Sequence, residues 1–315
     1  MINETVENRT RQIKNKIDTV VDEKDIEEIN KELRYLIQSK EIERVLETDT
    51  VHDQVRQLLK IPQYEQRSPE WFEQRRGKLT SSDVDSVLGN SKYSCFDEVL
   101  FKKCGIAKPF TGNQATLHGQ NYEDEAIDLY CQKYGKKRFS FGLMPHPTID
   151  FLAGSPDDIT YDGIVIEVKC PLIRKIIPGE IPAHYKAQIL MNMEICDLDK
   201  GVFIEYKPAH MTEDGNYILN VVHIDRDREW FESIFPTLKT FWEAVQRYQE
   251  IGIENHPRYE YFLKKSQPKI KQFVKQRRTP SVQLEFSSDD EDDEEYENKD
   301  DDDAVMADVF VISEE

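Results

Sequence analysis

From residue 118 to 134 the chain repeats apolar side chains in steps of three and four. Tyr122, Ala126, Leu129 and Tyr130 share one helical face, and Gly135 stops the run. Similar patterning predicts helices over 183–195 and about 227–250, with a shorter one over 94–104. Further upstream, Ser68-Pro69-Glu70 reads as a helix start, with Ser as N-cap and Pro at the first helical position. Thr80-Ser81-Ser82-Asp83 gives a second start before Val84, Val87 and Leu88, and Gly89 closes it. Residues 105–116 read as loop. Strand patterns cover 149–153, 158–161, 164–169, 201–206 and 217–224. Strands flanked by helices predict an α/β fold with a mixed core.

Both ends differ from this middle. Residues 1–60 read as charged helix with narrow apolar stripes: Ile26, Ile29, Leu33, Leu36, Ile37, and then Val51, Val55, Leu58, Leu59. An accessory segment packed on the main body is the preferred reading, and a partner-binding helix is the alternative. Lys264 to Arg278 holds seven basic residues and no acid, and an acidic run follows Ser287. Such blocks do not fold alone. The expected organisation is a helical extension over 1–62, a main domain over 63–263, and a basic linker with a disordered acidic tail over 264–315.

Composition sharpens this picture. Of the net charge of −19, residues 285–315 carry −15, which leaves −4 for the rest. The body can therefore present a local basic surface to phosphate. The basic segment reads as a DNA contact, a nuclear address or a solvated linker. One hypothesis is that the acidic run competes with DNA, so deleting 285–315 should raise affinity at low salt. The five cysteines match no zinc or iron–sulfur spacing, and the histidines have no ligand spacing. No apolar run is long enough to cross a membrane, and Met1 to Lys16 lacks the apolar core of a secretory signal. An intracellular location, with no membrane partner, is the expectation.

The chemistry concentrates between Gly154 and Pro171. Two strand-like runs flank an Asp162-Gly163 turn signal. Glu167 and Lys169 are two apart and share a face, while Ile164, Ile166 and Val168 take the apolar one. Register decides which acid meets Glu167. A three-residue loop with left-handed Gly163 puts Asp157 opposite it, and a two-residue turn puts Asp158 there. In both registers two carboxylates and an ammonium converge. Paired acids repel unless a cation sits between them, and a hard divalent ion such as Mg²⁺, keeping several waters, fits oxygen ligands. The competing reading is an ordinary hairpin with a surface Glu167–Lys169 salt bridge. Glu123, one turn before Ile127 on the inward stripe of its helix, is a further acid in need of a partner.

Asp157 followed after ten residues by Glu167-Val168-Lys169 resembles the PD-(D/E)xK nuclease signature. The longer strings Ala153-Gly154-Ser155-Pro156-Asp157 and Glu167-Val168-Lys169-Cys170-Pro171 resemble the lambda-exonuclease family, in particular its YqaJ-like viral recombinase branch. Trp71 to Gly77, with Thr80-Ser81-Ser82 behind it, is similar to that family's first motif. There an Arg and a Ser contact phosphate, which by position are Arg75 and Ser82. Gly119 to Ala126 resembles the helix whose glutamate faces the metal, here Glu123. Tyr185-Lys186-Ala187-Gln188 resembles the late Tyr-x-x-Gln motif. Gln188 is thereby a water- or phosphate-positioning candidate, and Tyr185 stands with the DNA-contacting group. The likeness covers about 68–245. Asp158 departs from it, because the family usually has Gly there, which leaves a disturbed turn or an added metal contact open.

The resemblance implies a restriction-endonuclease-like core. It implies Mg²⁺-dependent hydrolysis (Mn²⁺ a possible substitute) of double-stranded DNA from its ends, 5′→3′, in recombination or replication of a large DNA virus. It also implies a ring-shaped trimer and points to a single-strand annealing protein as partner. Asp157, Glu167 and Glu123 would hold the metal, and Lys169 would assist the attacking water. The alternatives are an endonuclease or RNase on the same site, and a non-catalytic DNA-binding recombination adaptor. An iron–sulfur nuclease lacks its cysteine cluster.

Overall fold

The protein is described by a computed structural model covering residues 40, 42–47, 49–64, 66–106, 114–266 and 307–311. The first segments are α1 (Asp53–Leu58) and α2 (Pro69–Arg76). Ser68 caps α2 by accepting the Trp71 amide, as the Ser-Pro signal predicts. A two-residue strand β1 (Leu79–Thr80) leads into a 3₁₀ turn (Ser81–Asp83) and α3 (Val84–Val87). Then come α4 (Phe96–Lys103), α5 (Gln114–Tyr134), and the short strands β2 (Arg138–Phe139), β3 (Met144–Pro145) and β4 (Leu152–Gly154). The hairpin is β5 (Asp158–Thr160) and β6 (Ile164–Lys169). It is followed by α6 (Ala183–Cys196), β7 (Lys200–Lys207), β8 (Ile218–Asp225), α7 (Arg228–Ile251) and α8 (Tyr259–Ser266).

The main sheet runs β2-β5-β6-β7-β8-β9, where β9 is Ala307–Val311. Only β6 and β7 are parallel in it, so the sheet is mixed as expected. The crossover between those two strands is α6, because parallel neighbours need a long connection. Ile166, Val168, Val202 and Ile204 pack under Ala126, Ile127 and Tyr130 of α5. Val165 and Phe203 point the other way, into the larger core with Ile189 and Met193 of α6 and Leu238 and Phe241 of α7. The period of two in β6 thus serves two cores at once. A second, three-stranded sheet, β1-β4-β3, lies beside the first, with β1 parallel to β4.

Val51, Val55 and Leu58 are buried in the larger core, so the described part of the N-terminal extension packs against the main body. Residues 1–39 lie outside the described residues. α5 begins at Gln114, inside the expected loop 105–116. α8 runs across the expected boundary at 263. The described part of the tail is 307–311. Those five residues pair with β8 as an antiparallel edge strand, because Val309, Phe310 and Val311 restore β-forming chemistry after the acidic run. The rest of the acidic run and most of the basic segment lie outside the described residues. Among the described residues no helix is long and apolar enough to cross a membrane.

Candidate active site

The hairpin fixes the site. Asp158 pairs with Ile166 and Ile159 with Val165, which continues to Asp157 opposite Glu167. The loop is the three-residue form: Gly163 has φ +87° and donates to the Thr160 carbonyl at 3.0 Å. Asp157 therefore faces Glu167 and the two-residue alternative is excluded. The Asp157 Oδ2 also accepts the Val168 amide at 2.6 Å, which locks its side chain against β6.

Glu167 is fully buried, 0% exposed. Its Oε1 accepts from the Lys169 ammonium, and its Oε2 accepts from Asn192 Nδ2 at 3.0 Å. Burial first, and Asp157 second, push the Glu167 carboxyl up to about 8, against the pull of Lys169. Burial also raises Asp157, against Lys169 and the Val168 amide. Burial disfavours the charge on Lys169, but Glu167 and Asp157 more than offset it and hold the ammonium above the usual lysine range.

Glu123 arrives from α5, the layer on the opposite face, and reaches the same group of charges. Burial and then Asp157 raise its carboxyl to about 7. Its Oε2 accepts from the Arg67 guanidinium at 3.1 Å. Asp158 takes the other face of the hairpin. It points to the α5 side and is bound by Arg138, which also reaches Asp128 at 2.9 Å and Asp124 at 3.3 Å. This departure from the family pattern is thus a buried structural ion pair beside the site.

Arg75 and Ser82 lie side by side. Arg75 Nη2 donates to Ser82 Oγ at 2.9 Å and to Thr80 Oγ1 at 3.2 Å, while its guanidinium lies over the Trp71 ring. Burial lowers the Arg75 pKa against Asp83, so a further anion there would be welcome. Thr80 pairs with Ala153, four residues before Asp157, and Trp71 Nε1 donates to Ser155 Oγ at 3.0 Å. The β1–β4 pairing therefore ties the phosphate-type cluster to the acids. On α6, the Tyr185 ring centroid is 5.3 Å from Lys169 Nζ. Gln188 sits half-buried one turn on, and among the described residues no hydrogen bond joins it to the acids.

Three acids raised chiefly by burial, with Asp157 adding to the rise of Glu123 and Glu167, form a donor set suited to a hard cation. Among the described residues no three His, Cys, Asp or Glu side chains stand in a ready ligand cage. The residues fit an ion that keeps several of its own waters. Sequence reasoning missed Asn192 and Arg67, whose partners lie 25 and 56 residues away. Asn192 is a polar residue in the buried run of α6, and that was the signal available.

Comparisons with known proteins agree with this geometry. Residues 70–199 match the YqaJ-like viral recombinase domain. An uncharacterised protein of Acanthamoeba polyphaga mimivirus is 30% identical over 167 residues, covering 48% of this chain and 30% of its own length. A protein of African swine fever virus is 23% identical over 171 residues, covering 45% and 49%. The chain thus spans about half or less of those two relatives. The crystal structure of an alkaline exonuclease from Laribacter hongkongensis superposes with a TM-score of 0.50 at 26% identity, covering 58% of this chain and 95% of that one. The same enzyme in complex with dAMP gives 0.51. Motif order, hairpin register and fold thus accompany a match of residues 70–199 to the YqaJ-like viral recombinase domain, on a restriction-endonuclease-like core.

Proposed function

We propose that this protein is a Mg²⁺-dependent deoxyribonuclease that degrades double-stranded DNA from its ends, 5′→3′, in viral recombination or replication. The observation that carries this reading is Asp157 opposed to Glu167 with Lys169 two residues on. Asp157 and Glu167 would hold the cation, with Glu123 beside them. The bound ion would polarise a phosphate oxygen and acidify a water. Lys169, held charged by its two acids, would orient that water and stabilise charge growing on the phosphorus oxygens. Asn192 keeps Glu167 aimed, and Arg75 with Ser82 would grip the terminal phosphate. Gln188 and Tyr185 would line the strand's path along α6. An alkaline exonuclease of this shape, solved also with dAMP, supports the exonuclease reading over a silent adaptor.

Digestion of end-labelled duplex DNA tests the proposal. Wild type should release nucleotides only with Mg²⁺ or Mn²⁺, and Lys169→Ala and Glu167→Ala should each lose roughly 10²–10³-fold in rate. Cleavage of closed circular DNA at the linear rate would favour an endonuclease. Inertness with every divalent metal would leave a binding adaptor. By resemblance we extend the proposal to a ring-shaped trimer and an annealing partner, read by sedimentation and co-purification.

A further inference from the structure

Arg67 is an odd residue in an odd place. Its backbone has φ +69°, a left-handed conformation that a long side chain adopts only at a cost. The neighbouring residue pins it there: Gln66 Nε2 donates to the Phe141 carbonyl at 2.7 Å and to the Pro156 carbonyl at 3.1 Å. Pro156 immediately precedes Asp157, so the turn carrying Arg67 is clamped to the hairpin entrance. The side chain then spans to Glu123, 3.1 Å away, with 48% of it exposed against 28% for the glutamate. A glycine would fill this backbone position without strain. The chain instead places a guanidinium on the one acid of the group that comes from the opposite layer.

We propose that Arg67 is an exchangeable counter-charge that holds Glu123 until DNA arrives, and so couples metal loading to substrate loading. The proposal rests on the reading of Asp157, Glu167 and Glu123 as a cation site. In the DNA-free protein Arg67 engages the Glu123 Oε2 and adds a positive charge beside the site, which weakens binding of a divalent ion. A guanidinium is a planar fork that matches a phosphate as well as a carboxylate, and half of this one is open to solvent. A DNA phosphate at the mouth draws it off. Glu123 is then free to turn to the cation. The coupling is reciprocal, so metal tightens DNA binding by the factor by which DNA tightens metal binding.

The test uses full-length protein with Mn²⁺ as probe, titrated by electron paramagnetic resonance or calorimetry. Titrations are run alone and with a 5′-phosphorylated duplex whose terminal linkages resist hydrolysis. Arg67→Gly removes the charge and relieves the backbone, so folding is not at risk. Arg67→Lys keeps both the charge and the strained backbone. The expected result is that Arg67→Gly binds Mn²⁺ about fivefold more tightly than wild type without DNA, the scale of a half-exposed ion pair. Its gain on adding DNA should shrink by the same factor. Arg67→Lys should stay close to wild type. Unchanged Mn²⁺ affinity in Arg67→Gly would reduce Arg67 to a surface ion pair and overturn the proposal. Equal tightening in both variants would overturn it too, by tracing the effect to something other than charge. No Mn²⁺ binding by wild type would sink the cation-site reading itself.

Discussion

At the scale of single residues, the site depends on how Glu167 is held. The carboxylate is fully buried and has two donors, Lys169 on one oxygen and Asn192 on the other. Asn192 is fully buried as well, and among the described residues its Oδ1 has no hydrogen-bond partner. A Cβ at position 154 would collide with that oxygen, so Gly154 is needed for Asn192 to approach the sheet. A polar group kept at such cost has a positioning task. Asn192→Ala should therefore lower kcat by about 10–100-fold and weaken Mn²⁺ binding, while costing ~1–3 kcal/mol in stability. Rate assays and metal titration on the same preparation separate positioning from mere structure. A full rate and full metal affinity in Asn192→Ala would remove Asn192 from the mechanism. Asn192→Asp should be worse, since it adds a fourth carboxylate beside three that already repel.

At the scale of elements, the β5–β6 hairpin decides which acid works. The period of two named Glu167 and Lys169 from the sequence, because alternation survives any register. It left Asp157 and Asp158 unresolved, because Asp162-Gly163 suits a two- or a three-residue loop. The choice is made by partners far along the chain. The His52 amide donates to the Tyr161 carbonyl at 2.7 Å, and the Tyr161 amide donates to the Lys137 carbonyl at 2.9 Å. Those bonds hold Tyr161 within the loop and leave Gly163 to take the positive φ. The two-residue strands β1, β2 and β3 were illegible for a similar reason: two residues have no period, and they exist because β4 and β5 offer them an edge. The helices of the core were legible to within a few residues, because each repeats its apolar face over many turns. Gly163→Ala tests the hairpin. The added Cβ would meet His52 Cγ at 3.0 Å in a backbone that disfavours any side chain. It should cost ~1–2 kcal/mol. Activity should fall further than folding does, because a slipped register trades Asp157 for Asp158. Urea denaturation alongside the exonuclease assay measures both, and a destabilised variant with wild-type kcat would show that the register is fixed elsewhere.

At the scale of the whole molecule, buried carboxylates fall into two groups with opposite pH behaviour. Glu194 is a depressed one. Burial alone would raise it, but the His146 imidazole 3.8 Å away and a hydrogen bond from Arg226 at 2.8 Å bring it down to about 2. Asp83, also buried, is driven below the usual carboxylate range by Lys103 and Lys102. Their contribution is present above the unfolded carboxylate value of about 4.5 and is lost as pH falls below it. Glu123 at about 7, Glu167 at about 8 and Asp158 at about 6 are raised, each chiefly by burial. The folded chain holds extra protons at these groups, so their sign is reversed. Stability declines as pH rises from about 4.5 through the folded values. Without metal, the protein should be most stable near pH 5 and lose several degrees of Tm by pH 8. Asp158 is bound by Arg138 on the α5 side, beside the site, so most of its share of the loss should persist whatever cation is present. The share from Glu123 and Glu167 should not persist, because a divalent ion among them replaces the protons they would otherwise need. Mg²⁺ in hundredfold excess over its dissociation constant should stabilise the protein by ~2.7 kcal/mol at pH 8 and by much less at pH 5. Thermal melts at the two pH values, with and without Mg²⁺, carry the decision. A Tm gain that is equal at both would mean the ion binds away from these acids.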